Sequence, residues 1–200
     1  VDEAEKSPRE RILQASLELF VEQGYFNTNI PDISKRSKCS VGSIYHHFLN
    51  KEEIARDIYR DGIKQFRKAL TDSLVLENNP NLKEIVQNIV IAFLRFAEEH
   101  RLLSRYLWLS RHNEFLSNKL SQPTVVGFDK LGRILTKGIR SAIKSGKIPN
   151  LDASVIWTIL FGIPISYIRD WLDGHTSRPP SEVSTVIAQA CWAALNGCHT

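Results

Sequence analysis

Apolar residues recur along this chain at three- and four-residue intervals, and no stretch alternates with the two-residue period of a half-buried strand. The first stripe is Ile12, Leu13, Leu17, Leu19 and Phe20. Ser7-Pro8-Arg9-Glu10 precedes it with a capping hydroxyl, a proline and a carboxylate three residues on, and Gly24 follows as the stop. Ile30 and Ile33 mark a second, short helix centred on 32–37, with the same cap-and-carboxylate spacing from Asn29 to Asp32. A third runs from its cap Ser40 to Phe48, with Ile44 and Phe48 on one face. Asn50-Lys51-Glu52-Glu53 opens a long fourth helix carrying Ile54, Ile58, Ile63, Phe66, Leu70 and Leu74 as far as Glu77-Asn78-Asn79-Pro80. Further helices are predicted over 82–99, 102–111, 124–145, 152–172 and 181–195, broken at Gln122-Pro123, 146–150 and 174–180. The fold class is therefore all-α with about nine helices: a tail (1–6), a three-helix helix-turn-helix module (7–50), a connecting helix (51–76) and a helical bundle (77–200).

Composition adds exclusions. The apolar fraction of 42% supplies a core. The longest apolar run, Val155 to Ile168, is interrupted by Thr158, Gly162, Pro164 and Ser166, so no membrane span is expected. No basic-then-apolar leader precedes the first helix, so export is not expected. The three cysteines, Cys39, Cys191 and Cys198, have no C-x-x-C spacing, which predicts neither a disulfide framework nor a metal site and fits a cytoplasmic location. No cofactor is expected. The net charge of +4 and pI near 9 are mildly basic. Between residues 7 and 51, Arg9, Arg11, Lys35, Arg36, Lys38 and Lys51 face Glu10, Glu18, Glu22 and Asp32, so charge alone identifies no nucleic-acid binder.

Placement of the polar groups is more informative. A helix entering the major groove needs small residues where backbone meets the duplex and longer polar ones beside them. Ser40 can bond a phosphate while capping, Gly42 permits close approach, Ser43 and His46 can meet base edges, and Tyr45 can place its hydroxyl on the backbone. Val41 suits a thymine methyl. Lys51, Thr28 and Arg9 are expected to clamp phosphates on the flanks. Each of these has a structural reading too: Ser40 and Thr28 as caps, Tyr45 as a partly buried aromatic. Glycine in so short a helix costs about 1 kcal/mol against alanine, so Gly42 calls for a reason, in close approach to DNA or to a partner helix.

Residues 8–59 resemble the DNA-binding domain of the TetR family of bacterial transcription regulators. The resemblance lies in R-E-R-I-L-Q-A-S-L-E-L-F (9–20), G-Y-F-N-T (24–28), D-I-S (32–34), S-V-G-S-I-Y-H-H-F (40–48) and N-K-E-E-I (50–54). It implies that the remainder is a ligand-binding and dimerisation domain, and that a homodimer presents two recognition helices to a palindromic operator on double-stranded DNA. Two positions depart from the family pattern. Lys38 stands where the turn usually has glycine, and is assigned a phosphate contact; Val41 stands where many members carry a polar residue, so base preference does not transfer.

Residues 152–172 are apolar on nearly every face and must be covered on both sides. The resemblance implies that this helix and the last one pair with their symmetry mates, through Val155, Ile159, Ile163, Tyr167 and Trp171 with Val183, Ile187, Cys191 and Ala194. An effector pocket among the middle helices is assigned to Phe66, Phe93, Phe96, Trp108, Phe128, Trp157 and Phe161. Arg105, Arg111 and His112 are placed to orient an acidic end of a small hydrophobic or aromatic molecule. The expected function is a ligand-responsive repressor released from its operator. The alternative is a small-molecule-binding or scaffold protein with a vestigial helix-turn-helix. With no G-x-S-x-G, phosphate-cradling loop or H-E-x-x-H, no enzyme and no catalytic residue are expected.

Overall fold

The computed structural model describes residues 6–74, 81–110, 112, 116 and 130–197, and every regular element among them is helical. In chain order these are α1 (Pro8–Glu22), α2 (Ile30–Ser37), α3 (Val41–His47), α4 (Lys51–Asp72), α5 (Leu82–Glu99), α6 (Arg101–Leu109), α7 (Lys130–Lys144), α8 (Ala153–Leu172) and α9 (Pro180–Gly197). The chain divides into two compact units, residues to Lys64 with 102–123, and residues 65–101 with 124–200.

In the first unit the helix ends follow their side-chain signals. The Ser7 N–H donates to Glu10 Oε2 at 2.8 Å while Ser7 Oγ accepts from the Glu10 N–H, so orphan amides are satisfied from both directions. Asn29 and Asp32 repeat the exchange, and α2 consequently begins at Ile30, two residues ahead of the expected 32. Ser40 Oγ accepts the Ser43 N–H at 3.1 Å, and Asn50 Oδ1 the Glu53 N–H at 2.9 Å. Gly24 has φ of +88°, the left-handed stop expected after α1. Ile12, Leu19, Phe20, Ile33, Ile44, Phe48 and Ile54 are buried; Leu13 and Leu17 are only half-buried, and Ala15 and Ser16 take the inner positions. Ser16 is tolerated inside because its hydroxyl donates to Ile12 O at 2.7 Å. Tyr106 of α6 is buried among these helices, and its hydroxyl donates to Ala55 O at 2.9 Å.

The second unit is a bundle centred on α5, which packs against α7, α8 and α9. α5 is capped by Asn81 and Glu84, an N-x-x-E signal that apolar periodicity alone passes over. α8 is long and apolar enough to cross a membrane by length and composition, yet its inner face packs on α5 and α9. Thr158–Gly162 within it is a π-helical segment. Pro164 accounts for the wide turn: a proline ring clashes with the carbonyl four residues back, here Leu160, and the extra residue relieves the clash. The helix expected over 102–111 is Arg101–Leu109, and α7 is described only from Lys130, so 124–129 lie outside the described residues.

Candidate nucleic-acid interface

α3 divides its side chains cleanly. Ile44 and Phe48 are buried and hold the helix down, whereas Val41 is 42% and Tyr45 53% exposed, with Ser40, Gly42 and His46 exposed beside them and Ser43 half-buried. A Cβ built on Gly42 would meet nothing but Ser40 Oγ, at 3.9 Å. No neighbour among the described residues therefore requires glycine here, and the partner-helix explanation for Gly42 has no support among them.

The turn before α3 adopts the expected strained form: Lys38 caps α2 in the left-handed region, φ 56°, ψ 30°, with its side chain exposed. Ser34 Oγ closes the turn by donating to Cys39 O at 2.7 Å. Arg36 is drawn away from this face by a bidentate pair with Glu22 and a contact to Glu18.

Three flanking residues have internal roles that sequence reading missed. Thr28 is 1% exposed, its hydroxyl donating to Gly24 O at 2.8 Å, so the expected phosphate clamp is corrected to a buried brace of the α1–α2 turn. Lys51 Nζ donates to Tyr25 O at 2.7 Å and Thr28 O at 2.6 Å and lies 4.3 Å from the centre of the Tyr25 ring. Two of its three N–H donors are thus committed, and burial lowers its pKa. Arg9 pairs with Asp57 of α4 and stacks over Phe48. Arg60 reaches the other Asp57 oxygen at 2.8 Å, so a carboxylate on α4 anchors the start of α1.

The residues assigned to the effector pocket fall into two groups. Phe66, Phe93 and Phe96 form a buried ring cluster, with Phe66 to Phe93 at 4.6 Å and Phe66 to Phe96 at 5.3 Å. Phe161 continues it from Phe93 at 6.1 Å, and half-buried Trp157 stacks on Phe161 at 5.4 Å. All five belong to the second unit, whereas Arg105, Trp108 and His112 belong to the first. Phe128 and Arg111 lie outside the described residues.

His112 is not the solvated or anion-orienting group expected. It is buried edge-on between Tyr59 and Tyr106, both at 4.7 Å, and its Nε2–H donates to Tyr106 O at 2.8 Å. Desolvation pushes its pKa down from 6.5 to about 4, outweighing the hydrogen bonds to the Tyr106 and Leu107 backbone, so it is neutral at pH 7. A depressed histidine pKa means the unfolded chain binds the proton more tightly. The contribution to stability is complete above pH 6.5 and is lost as pH falls to about 4, amounting to at most about 3 kcal/mol. Urea unfolding at pH 7.5 and 5.0 checks this: the wild type should lose more stability than His112→Phe over that interval.

Among the dimer assignments, three side chains point into their own unit. Cys191 is fully buried with Sγ 3.3 Å from Ile159 O, and desolvation raises its pKa to about 11; Ile159 is buried beside it; Trp171 is 8% exposed under the Arg101 guanidinium at 4.5 Å. Burial removes all three from the expected interface. Val155 and Ile163 on α8 are exposed, as are Val186, at 66%, and Ala190 on α9; Tyr167, Val183, Ile187 and Ala194 are half-buried at the margin.

Three capped helices with an exposed polar edge on α3, braced by α4 and followed by a second all-helical unit, are the arrangement of a helix-turn-helix DNA-binding module. Residues 12–58 match the family model for bacterial regulatory proteins of the tetR family. An HTH-type transcriptional regulator of Bacillus subtilis, YhgD, is 26% identical over 177 residues, covering 88% of each chain. The Fatty acid metabolism regulator protein of the same organism is 27% identical over 165 residues, covering 81% of this chain and 82% of its own. Among solved structures, Bacillus subtilis FadR in complex with stearoyl-CoA superposes with a TM-score of 0.71 at 20% identity, covering 95% of this chain and 99% of that one, a likeness of fold. Residues 12–58 are a DNA-binding domain of the tetR family, and over most of its length the chain is similar to bacterial transcription regulators.

Proposed function

We propose that the protein is a homodimeric repressor that places two copies of α3 in successive major grooves of a palindromic operator and is released by a small hydrophobic or aromatic effector. Gly42 carries the DNA-reading part. It is exposed, and no neighbour among the described residues demands glycine, so its missing Cβ serves an external surface that comes very close. Around it, Ser43 and His46 read base edges, Val41 meets a thymine methyl, and Ser40, Tyr45, Lys38 and Arg9 hold phosphates, with Lys51 adding its remaining donor. Thr28 holds Lys51 in place. A twofold pair is required because one α3 reads few base pairs, and half-sites lie about 34 Å apart.

The effector reading rests on the aromatic cluster at Phe66, Phe93, Phe96, Trp157 and Phe161, and on the stearoyl-CoA bound by FadR, which makes a long-chain acyl compound the first to try. α4 is one helix that begins beside α3 and carries Phe66, so a shift along it at the cluster changes the seating of Lys51 and Asp57. A coupling of about 1–3 kcal/mol weakens operator binding roughly 5- to 150-fold. Such a regulator acts where the chromosome is, in the cytoplasm.

Gly42→Ala tests the assignment through two opposite signs. Helix propensity should raise thermal stability by up to about 1 kcal/mol. Affinity for an operator selected from random duplex should fall roughly ten- to a hundredfold, the cost of one or two spoiled base-pair contacts. A more stable variant with wild-type affinity at several salt concentrations would remove α3 from the interface.

A further inference from the structure

At the end of the bundle where α5 begins, Leu74, Leu82, Ile85, Ile134 and Ala142 line a groove of about 430 Å³, a volume in the range of small-molecule sites. None of its lining residues belongs to the aromatic cluster. α7 meets it with two parallel rows at four-residue spacing: Ile134, Gly138 and Ala142 form an apolar row, and Lys137, Ser141 and Ser145 a polar one. Gly138 leaves room for Leu82 and Ile85, because a Cβ there would lie 3.3 Å from Leu82 Cδ1 and the leucine would have to give by a few tenths of an ångström.

Among the described residues the charges on the rim are positive. Lys137 and Lys147 both line the groove, and the Lys147 N–H, bonded to Ala142 O at 2.9 Å, folds the chain after α7 back over the helix end. No carboxylate stands among the described lining residues, and neither lysine has an ion pair among the described residues. An apolar trough edged on one side by two ammonium groups and two hydroxyls complements a molecule with a hydrocarbon tail and an anionic head.

We propose that this groove is a second binding site, distinct from the effector cluster, for a monomeric single-chain anionic amphiphile, whose tail lies on Ile85, Ile134 and Leu82 and whose head group meets Lys137, Lys147 and Ser141. The tail gains about 0.8 kcal/mol per buried methylene, so affinity rises about fourfold for each carbon added until the groove is full. The head gains from two exposed lysines, a smaller and salt-sensitive share.

The test titrates the full-length protein with octyl, decyl and dodecyl phosphate, and with dodecanol, by calorimetry and by methyl NMR of the isoleucines. Expected are tightening with chain length, shifts concentrated at Ile85 and Ile134, and about fivefold or greater weakening of dodecyl phosphate, but not of dodecanol, in Lys137→Gln/Lys147→Gln. Both substitutions are at exposed positions, and Ile134→Gln, at a half-buried one, should weaken both ligands. Shifts confined to Ile156 and Ile159, equal loss of both ligands in the lysine variant, no binding at all, or binding only to phosphatidylglycerol vesicles would each overturn it. Operator affinity is not read in this experiment, so its failure leaves the repressor reading standing, and the reverse holds as well.

Discussion

Val186→Asp/Ala190→Asp is expected to yield a folded monomer that binds a full palindrome about 10²- to 10⁴-fold more weakly than the wild type, because the second half-site loses its effective concentration. Both side chains are exposed on α9, as Val155 and Ile163 are on α8, so the fold of one protomer does not depend on them. Two carboxylates per chain, brought face to face across a twofold axis, would be desolvated against each other. Light scattering gives the mass, and a titration against full and half operators gives the affinities. The half-site affinity should be unchanged. A variant that stays dimeric and keeps its palindrome affinity would show that this face is not where the copies meet. Cys191→Ser and Trp171→Phe, which act on buried positions, should alter stability and leave the dimer intact.

Phe93→Ala carries the largest expected cost in stability, about 3–5 kcal/mol. The ring is fully buried and touches Phe66 on α4 and Phe161 in the π segment of α8, so its removal opens a cavity where three helices share their packing. Urea unfolding should show a lower midpoint with a similar slope. Trp157→Ala is the informative companion. Trp157 is half-buried and stacks on Phe161 with planes 28° apart, so truncation costs less stability while removing the part of the cluster nearest solvent. If a long-chain acyl compound acts through this cluster, the Trp157 variant should respond more weakly to it at nearly normal stability. Equal responses in wild type and Trp157→Ala would move the effector elsewhere in the unit.

Helix positions in the first fifty residues were legible because their signals are local. Ser7 with Glu10, Asn29 with Asp32, Ser40 and Asn50 each satisfy amides within three residues of themselves, so the letters state the geometry. The same holds for the stop at Gly24 and the split between buried Ile44 and exposed Tyr45 on one short helix, whereas the left-handed turn at Lys38 was implied only by the family resemblance. The family resemblance across residues 8–59 is legible for the same reason.

Residues whose roles depend on distant partners were misread. Lys51 looks like a free phosphate ligand until the α1–α2 turn, more than twenty residues back, claims two of its three donors, and Thr28 until that turn buries it. His112 looks solvated until Tyr59 and Tyr106 close around it, and Cys191 and Trp171 look like interface until Ile159 of α8 closes on the one and Arg101 of α6 stacks over the other. Periodicity says that a helix has an apolar face but is silent on which neighbour covers it, since burial is a property of the packed set and not of one helix. By itself, then, the order of residues determined the helices, their caps and the polar edge of α3. Only the tertiary structure decided which of those polar groups remain available to an outside partner, because that depends on contacts between segments dozens of residues apart.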